Sequence, residues 1–286
     1  MKNKKVIISI VVLLIIILVL ASIIIVGIIK GDNFIFSGRT EVLYQSSFND
    51  VDKINVDITS YDVEIKEHDK NDIAIEITGN EKNKDKMKVE ENNGKLTIKQ
   101  DGSIICIGLC LAKEEIIIYV PKNIELEYNH KSSSGSVKSS VLITKGSIET
   151  TSGDINVTTL LTGNLKSTSG NIFLEEGDTL EVSSTSGDIE INQINSLTGS
   201  ATSGNLSIDS LTNKINFGLT SGDVKINSLN INEDSNITAT SGNIKIGLEK
   251  EIFIDAKTNS GDIDIDNKNA NPILKVTTTS GDITIK

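Results

Sequence analysis

Tryptophan is absent from this 286-residue chain, and cysteine, proline and histidine occur only twice each. The two histidines, His68 and His130, sit in no metal-ligand or nucleophile motif. A histidine-dependent hydrolase or a His-rich metal centre therefore has no recognisable residues to work with. Two cysteines without nearby histidines are too few for a structural zinc site. Aromatic residues make up only 3% of the chain, and no Trp or Tyr lies beyond residue 132. Those side chains are the usual platforms for stacking and for protein hot spots, so their absence argues against a carbohydrate-stacking surface there. Positive charge is scarce too. Residues 132–286 carry 11 Lys and no Arg against 19 Asp and Glu, a net of −8. That balance argues against nucleic acid and against adsorption on anionic lipid. It suits a soluble acidic surface, and it permits cationic ligands.

What the chain does have is a repeat. Ser-Gly followed by Asp or Asn and an aliphatic residue recurs with its glycine at Gly153, Gly170, Gly187, Gly204, Gly222, Gly242, Gly261 and Gly281, and a degenerate copy centres on Gly135. Successive glycines from Gly153 onward are 17 to 20 residues apart. A fixed period of this size marks a repeat architecture whose units are stable because neighbours cover them. Around each turn the apolar residues alternate, as in Ile155/Val157, Ile172/Leu174 and Ile189/Ile191, the pattern of half-buried strands. The glycine is expected to supply a turn position with positive φ.

Two all-β arrangements fit such units. In a meander or barrel each Ser-Gly turn closes an antiparallel hairpin. In a β-solenoid each turn is a corner, and equivalent strands of successive coils pair in parallel. Two-residue hairpins prefer Asn-Gly or Asp-Gly, whereas this chain uses Ser-Gly throughout, and residue-by-residue identity suits stacking. The predicted fold is therefore an all-β, single-stranded β-solenoid. The residue after each glycine runs Asp154, Asn171, Asp188, Asn205, Asp223, Asn243, Asp262, Asp282. Stacked in register, alternating Asp with Asn separates carboxylates that would otherwise sit about 5 Å apart and repel. This polar ladder is expected to be structural, with weak cation binding as the alternative. Calcium needs six to eight oxygens, which one Asx per turn does not supply alone. Pro272, Lys275 and Lys286 in the last copy look like protection for an open edge, and the open ends leave self-association into a homo-oligomer as an option.

The remainder divides into three. Lys2, Lys4 and Lys5 precede an uncharged run from Val6 to Ile29, which as a helix spans about 36 Å, enough to cross a bilayer. No small-residue exit site ends the run, so it reads as an uncleaved anchor within residues 1–30, leaving the rest of the chain extracytoplasmic by the positive-inside rule. Residues 31–46 read as a juxtamembrane linker. Residues 47–131 read as an N-terminal β-rich cap with early coils, followed by repeats over 132–286. Asn93-Gly94 is a hairpin signal, the charged stretch 81–88 reads as a solvated loop, and Pro121 ends a strand. Cys106 and Cys110 flank Gly108 in an apolar stretch. A disulfide closing this loop is chemically allowed outside the cytoplasm, with buried thiols or an exposed apolar binding loop as alternatives.

An N-terminal anchor, the strand Ile116-Ile-Ile-Tyr-Val-Pro121 and tandem Thr-Ser-Gly-Asp-Ile copies together resemble the bacterial putative adhesin family of unknown function. The resemblance spans about residues 51–286. It implies a right-handed β-helix-like domain and a place in the cell envelope, where related proteins are associated with envelope stress and antimicrobial-peptide responses. It supplies no catalytic residues and no cofactor. The expected role is a non-catalytic, membrane-anchored surface scaffold whose partner is an envelope component or a membrane protein. The alternatives are an envelope-stress sensor acting through a membrane partner, and a polysaccharide-active β-helix enzyme, which would need converging carboxylates.

Overall fold

The computed structural model describes residues 36–37, 40–102, 109–110, 112–122, 124–266, 268 and 270–286. The expected membrane anchor lies outside the described residues, as does Cys106. Among the described residues no helix is long and apolar enough to cross a membrane. Of Cys110 only the backbone is described, in a two-residue parallel pairing of Leu109–Cys110 with Phe36–Ser37.

The chain is an all-β solenoid. Strands Val137–Thr150, Ile155–Ser167, Ile172–Ser184, Ile189–Ser203 and Leu206–Ser221 each run along one face and bend onto the next. They stack in parallel with like residues aligned: Ile155 pairs with Ile172, Ile172 with Ile189 and Ile189 with Leu206. One coil thus comprises a leading strand, a Ser-Gly corner and a trailing strand. The alternating aliphatic residues point inward and form a single core, in which Val157, Leu160, Leu165, Leu174 and Val182 are fully buried. Ladder neighbours compensate in size. Gly199 stands between Val182 and Phe217, and Gly146 follows Tyr128, so a bulky ring faces a residue without a side chain.

Stacking follows sequence order only through the middle. At the C-terminal end, Ile273–Ser280 pairs on one side with Ser235–Ser241 and on the other with Phe253–Ser260. On the neighbouring face, Ile283–Ile285 lies between Ile244–Leu248 and Ile263–Ile265. The last coil in sequence is therefore internal, and the penultimate coil is the terminal one among the described strands. The expected edge residues Pro272, Lys275 and Lys286 belong to a coil with neighbours on both sides. The N-terminal end makes the mirror exchange. Lys53–Asp57 lies between Lys95–Gln100 and Leu126–Ser132, and Asp62–His68 lies between Glu115–Pro121 and the start of Val137–Thr150. In both cases the first or last coil of the solenoid in sequence acquires two ladder partners, which satisfies backbone donors and acceptors on both of its edges.

The N-terminal end is closed by antiparallel strands. Thr40–Phe48 pairs with Ile73–Asn80, which pairs with Glu115–Pro121. Residues 40–46, expected as linker, are thus most of a strand. Met87–Asn92 forms a hairpin with Lys95–Gln100, and Asn93 and Gly94 carry the positive φ values, 51° and 76°, of a tight primed turn. Residues Glu81–Lys86, expected as loop, form a short 3-10 helix whose first turn is capped by the Asn80 side chain.

Candidate functional site

The repeated corner is where the chain places its chemistry-bearing residues. Its glycines form one column, and backbone approach sets their identity. A Cβ on Gly170 would lie 2.0 Å from the carbonyl oxygen of Gly153, and one on Gly153 would lie 2.0 Å from that of Gly135. Positive φ, expected throughout, holds only from Gly204 onward, with Gly222 at 126° and Gly242 at 139°. At Gly153, Gly170 and Gly187 the requirement is steric contact with the coil beneath. Tyr61 occupies the same place under Gly135 at the N-terminal end of the column.

The Asx residues sit beside this column and are all exposed. Apart from the terminal Asp262, each side-chain Oδ1 accepts the backbone N–H of its counterpart one coil on. Asn171 donates to Asp154 at 2.8 Å, Asp188 to Asn171 at 3.0 Å, Asn205 to Asp188 at 2.7 Å and Asp223 to Asn205 at 3.0 Å. The chain continues through Asn243 to Asp223 at 2.7 Å, Asp282 to Asn243 at 3.0 Å and Asp262 to Asp282 at 2.9 Å. At the other end Ser136 donates to Asp62, and Asp154 donates to the Ser136 hydroxyl. The ladder is therefore a run of backbone caps, which either Asp or Asn can make. Because the last coil is inserted, the alternation runs unbroken to Asp282, and only Asp282 and Asp262 stand as adjacent carboxylates. One carboxylate oxygen at each of Asp154, Asp188, Asp223 and Asp282 is committed to the ladder. Among the described residues no group of three or more His, Cys, Asp or Glu could hold a metal ion.

A second column, which sequence reasoning missed, lies inside the corner. Ser132, Thr150, Ser167 and Ser184 are buried, each three residues before a corner glycine. Ser167 Oγ accepts from Gly170 N–H at 2.8 Å, and Ser184 Oγ both accepts from Gly187 N–H and donates to its carbonyl at 2.9 Å. Their fixed position relative to the glycine was the available signal.

Two polar groups are buried deeper. His130 is 3% exposed, and its Nδ1 lies 3.0 Å from the Tyr128 hydroxyl. Nε2 of His130 is buried with no hydrogen-bond partner. Burial pulls the imidazole pKa down to about 3 and pushes the Tyr128 phenol up. At the capped end, Glu114 accepts from Asn83 at 3.0 Å and from Ser60, and burial raises its pKa. Burial first, and then the Glu114 charge, push the Tyr61 phenol upward.

Two shallow clefts lie among the described residues. One, of about 390 Å³, is lined by Phe48, Val51, Ile73 and Ile124 with Asp50 and Asp52 at its rim. The other, of about 400 Å³, lies over Gly247 between Lys225, Lys245 and Lys286.

Comparison with known proteins places the chain. The family model described as Toastrack DUF4097 matches residues 51–286. No curated protein matches the sequence. Among solved structures, a putative lipid binding protein from Parabacteroides distasonis is 20% identical, with 87% of this chain and 97% of that one covered and a TM-score of 0.49. A putative adhesin from Bacteroides fragilis is 16% identical over 87% of this chain and 97% of that one, with a TM-score of 0.47. A putative adhesin from Parabacteroides merdae is 14% identical over 86% and 96%, with a TM-score of 0.42. The match over residues 51–286, on a solenoid built from one recurring Ser-Gly-Asx corner, makes this chain a member of the Toastrack DUF4097 family.

Proposed function

We propose that the protein is a non-catalytic binding scaffold, held at the outer face of a membrane by residues 6–29, whose Asx stripe meets a cationic component of the cell envelope. The observation that carries this reading is the ladder from Asp62 to Asp262. Asp154, Asn171, Asp188, Asn205, Asp223, Asn243 and Asp282 each accept a backbone N–H of the neighbouring coil, so their side chains are ordered before any ligand arrives. Ordering them in advance lowers the entropic cost of association. Asp154, Asp188 and Asp223 recur on every second coil, about 10 Å apart at the usual strand spacing. A polycationic peptide or an amine-bearing wall polymer has charges of the sign such a row attracts.

The test separates charge from scaffold. The triple variant Asp154→Asn, Asp188→Asn, Asp223→Asn keeps every ladder acceptor and removes three charges. Full-length protein in detergent micelles should retain a synthetic polylysine peptide and purified wall material, and the variant should bind at least tenfold more weakly with an unchanged melting temperature. Equal binding by both proteins, or no binding by the natural one, refutes the reading.

A further inference from the structure

Positive charge gathers on the outer face of three adjacent leading strands, Val224–Leu229, Ile244–Leu248 and Ile283–Ile285. Each of them has a ladder partner on both sides, so this surface belongs to the body of the solenoid and not to an end. The cleft of about 400 Å³ over Gly247 opens on it, a volume in the range of small-molecule sites.

The cleft has a backbone cause. Ile226 pairs with Ile246 and Leu229 with Leu248, so Asn227 and Ser228 together oppose the single residue Gly247. Such a bulge re-aims side chains and is common beside functional sites. Asp209, Asn227 and Lys286 hold the equivalent outward position in neighbouring coils, and Gly247 leaves it without a side chain. A Cβ there would lie 2.2 Å from the carbonyl oxygen of Asn227, so the notch stays unfilled.

Lys225 and Lys245 border the notch. They are in-register partners in adjacent coils, about 4.8 Å apart along the ladder. Both are exposed, and neither side chain has an ion-pair or hydrogen-bond partner among the described residues. From Glu64 to Asp264 their row sets no other two like charges side by side. Neighbouring like charges cost stability, so packing does not account for this pair. Thr284, beside Lys245 in the ladder, adds a hydroxyl. The nearby acids are engaged elsewhere. Asp264 holds Lys286 at 2.5 Å, Asp209 accepts from the Asn227 amide at 2.7 Å, and Glu249 accepts from the Ser228 hydroxyl. Asp223 and Asp282 each accept a backbone N–H of the Asx ladder.

We propose that this cleft is an anion site that takes the phosphate group of a soluble phosphate monoester, with Lys225 and Lys245 as the paired cations and Thr284 as a hydroxyl donor. Charge selects the class. Two uncommitted ammonium groups match a dianion, which a phosphate monoester becomes above its second pKa of about 6, whereas a phosphodiester carries a single charge. Lysine suits phosphate as a point charge. Asp223, Asp282 and Glu249 around the notch repel an extended anionic surface, which favours a small ligand over a membrane. The site is separate from the Asx stripe and needs no cationic ligand.

The experiment is isothermal titration calorimetry on full-length protein in non-ionic detergent micelles, at pH 8 and low salt. Methyl phosphate should bind with a dissociation constant of about 1 mM or tighter, and dimethyl phosphate about tenfold more weakly. Lys225→Gln and Lys245→Gln should each weaken methyl phosphate about tenfold, while Lys166→Gln, on a trailing strand, should leave it unchanged. Both cleft variants should melt at or above the temperature of the natural protein, because each relieves a like-charge contact, and this separates lost binding from lost fold. Asp223→Asn, which belongs to the triple variant that weakens polylysine, should leave phosphate binding intact or tighter, so the two readings fail separately. No binding by the natural protein overturns the proposal. So does equal binding of the diester, undiminished binding by the two cleft variants, or binding only to phosphatidate doped into the micelles.

Discussion

The corner at Gly187 and the corner at Gly222 are written in nearly the same residues and fold in different ways. Upstream, Ser184 lies inside the corner and its hydroxyl captures the Gly187 N–H. The glycine then keeps an ordinary φ. At the second corner Leu219 occupies the equivalent place and offers no acceptor. Gly222 turns to φ 126° and donates instead to the carbonyl of Ser241 in the next coil at 3.1 Å. Gly242, behind Ala239, does the same with Ser280 at 2.9 Å. The strand also continues one residue further, so that Ser221, Ser241, Ser280 and Ser260 stack in a ladder of their own. The lesson is that a buried N–H must be satisfied, and the nearest acceptor selects the backbone conformation. A hydroxyl makes the corner self-contained, whereas an apolar residue ties it to its neighbour. Thr278 marks the boundary of the rule. Its hydroxyl donates to Ser280 O, and Gly281 still donates to Ser260.

The hardest blow to this pairing of corners is a methyl group on the glycine. A Cβ would meet backbone oxygen at 2.1 Å in Gly222→Ala and 2.0 Å in Gly170→Ala. Both should destabilise by about 4 kcal/mol in urea unfolding followed by circular dichroism. Gly222→Ala should be worse by about 1 kcal/mol, because only there does the backbone also hold a positive φ. Equal losses would show that φ contributes nothing to the difference.

Acid tests the hydroxyl-lined half next, through His130 beside Tyr128. The folded pKa of about 3 lies below the ordinary histidine value, so the unfolded chain takes up the proton first. Stability from this group is complete above the ordinary value near 6.5 and falls as the pH drops from there towards 3. The loss should reach about 2 kcal/mol between pH 7 and pH 5. His130→Phe should flatten that part of the stability profile, and an unchanged slope would mean that His130 is not the group responsible.

Smaller is the exchange of the inner residue itself. Ser184→Ala leaves the Gly187 N–H without its acceptor and should cost about 1 kcal/mol. Ala201→Ser, at the equivalent place before Gly204, should change stability by less than about 0.5 kcal/mol, since that corner already has its other conformation. Smallest of all is Asn205→Asp. It keeps the acceptor for Asp223 N–H and sets three carboxylates in a row. A loss of about 0.5 kcal/mol at low ionic strength should vanish in about 1 M salt, where the screening length is about 3 Å.

Much of this could be read from residues alone. The inward pairs Ile155/Val157 and Ile189/Ile191 are buried as their alternation required, and the Asx residues form the stacked ladder that their recurrence suggested. The hairpin at Asn93-Gly94 is present for the reason its residues implied. The site was less legible. The glycine column has one motif but two physical causes, because a carbonyl 2.0 Å from an absent Cβ belongs to a residue 17 positions away. Burial of His130 on the face shared with Leu126 and Tyr128 is completed by Val56 and Ile148 of the two neighbouring coils, which no single segment specifies.

By itself the sequence determined the unit: which side chains face inward, where the corners fall, and which residue caps the next coil. Those are local properties, set by the alternation of strand faces and the short reach of an Asx side chain. Only the tertiary structure decided the order of the coils at each end, with residues 273–285 slipped between 235–248 and 253–265. Every coil presents the same backbone donors and acceptors along its edges, so a single unit cannot distinguish one neighbour from another. That choice belongs to the packing of all the coils together.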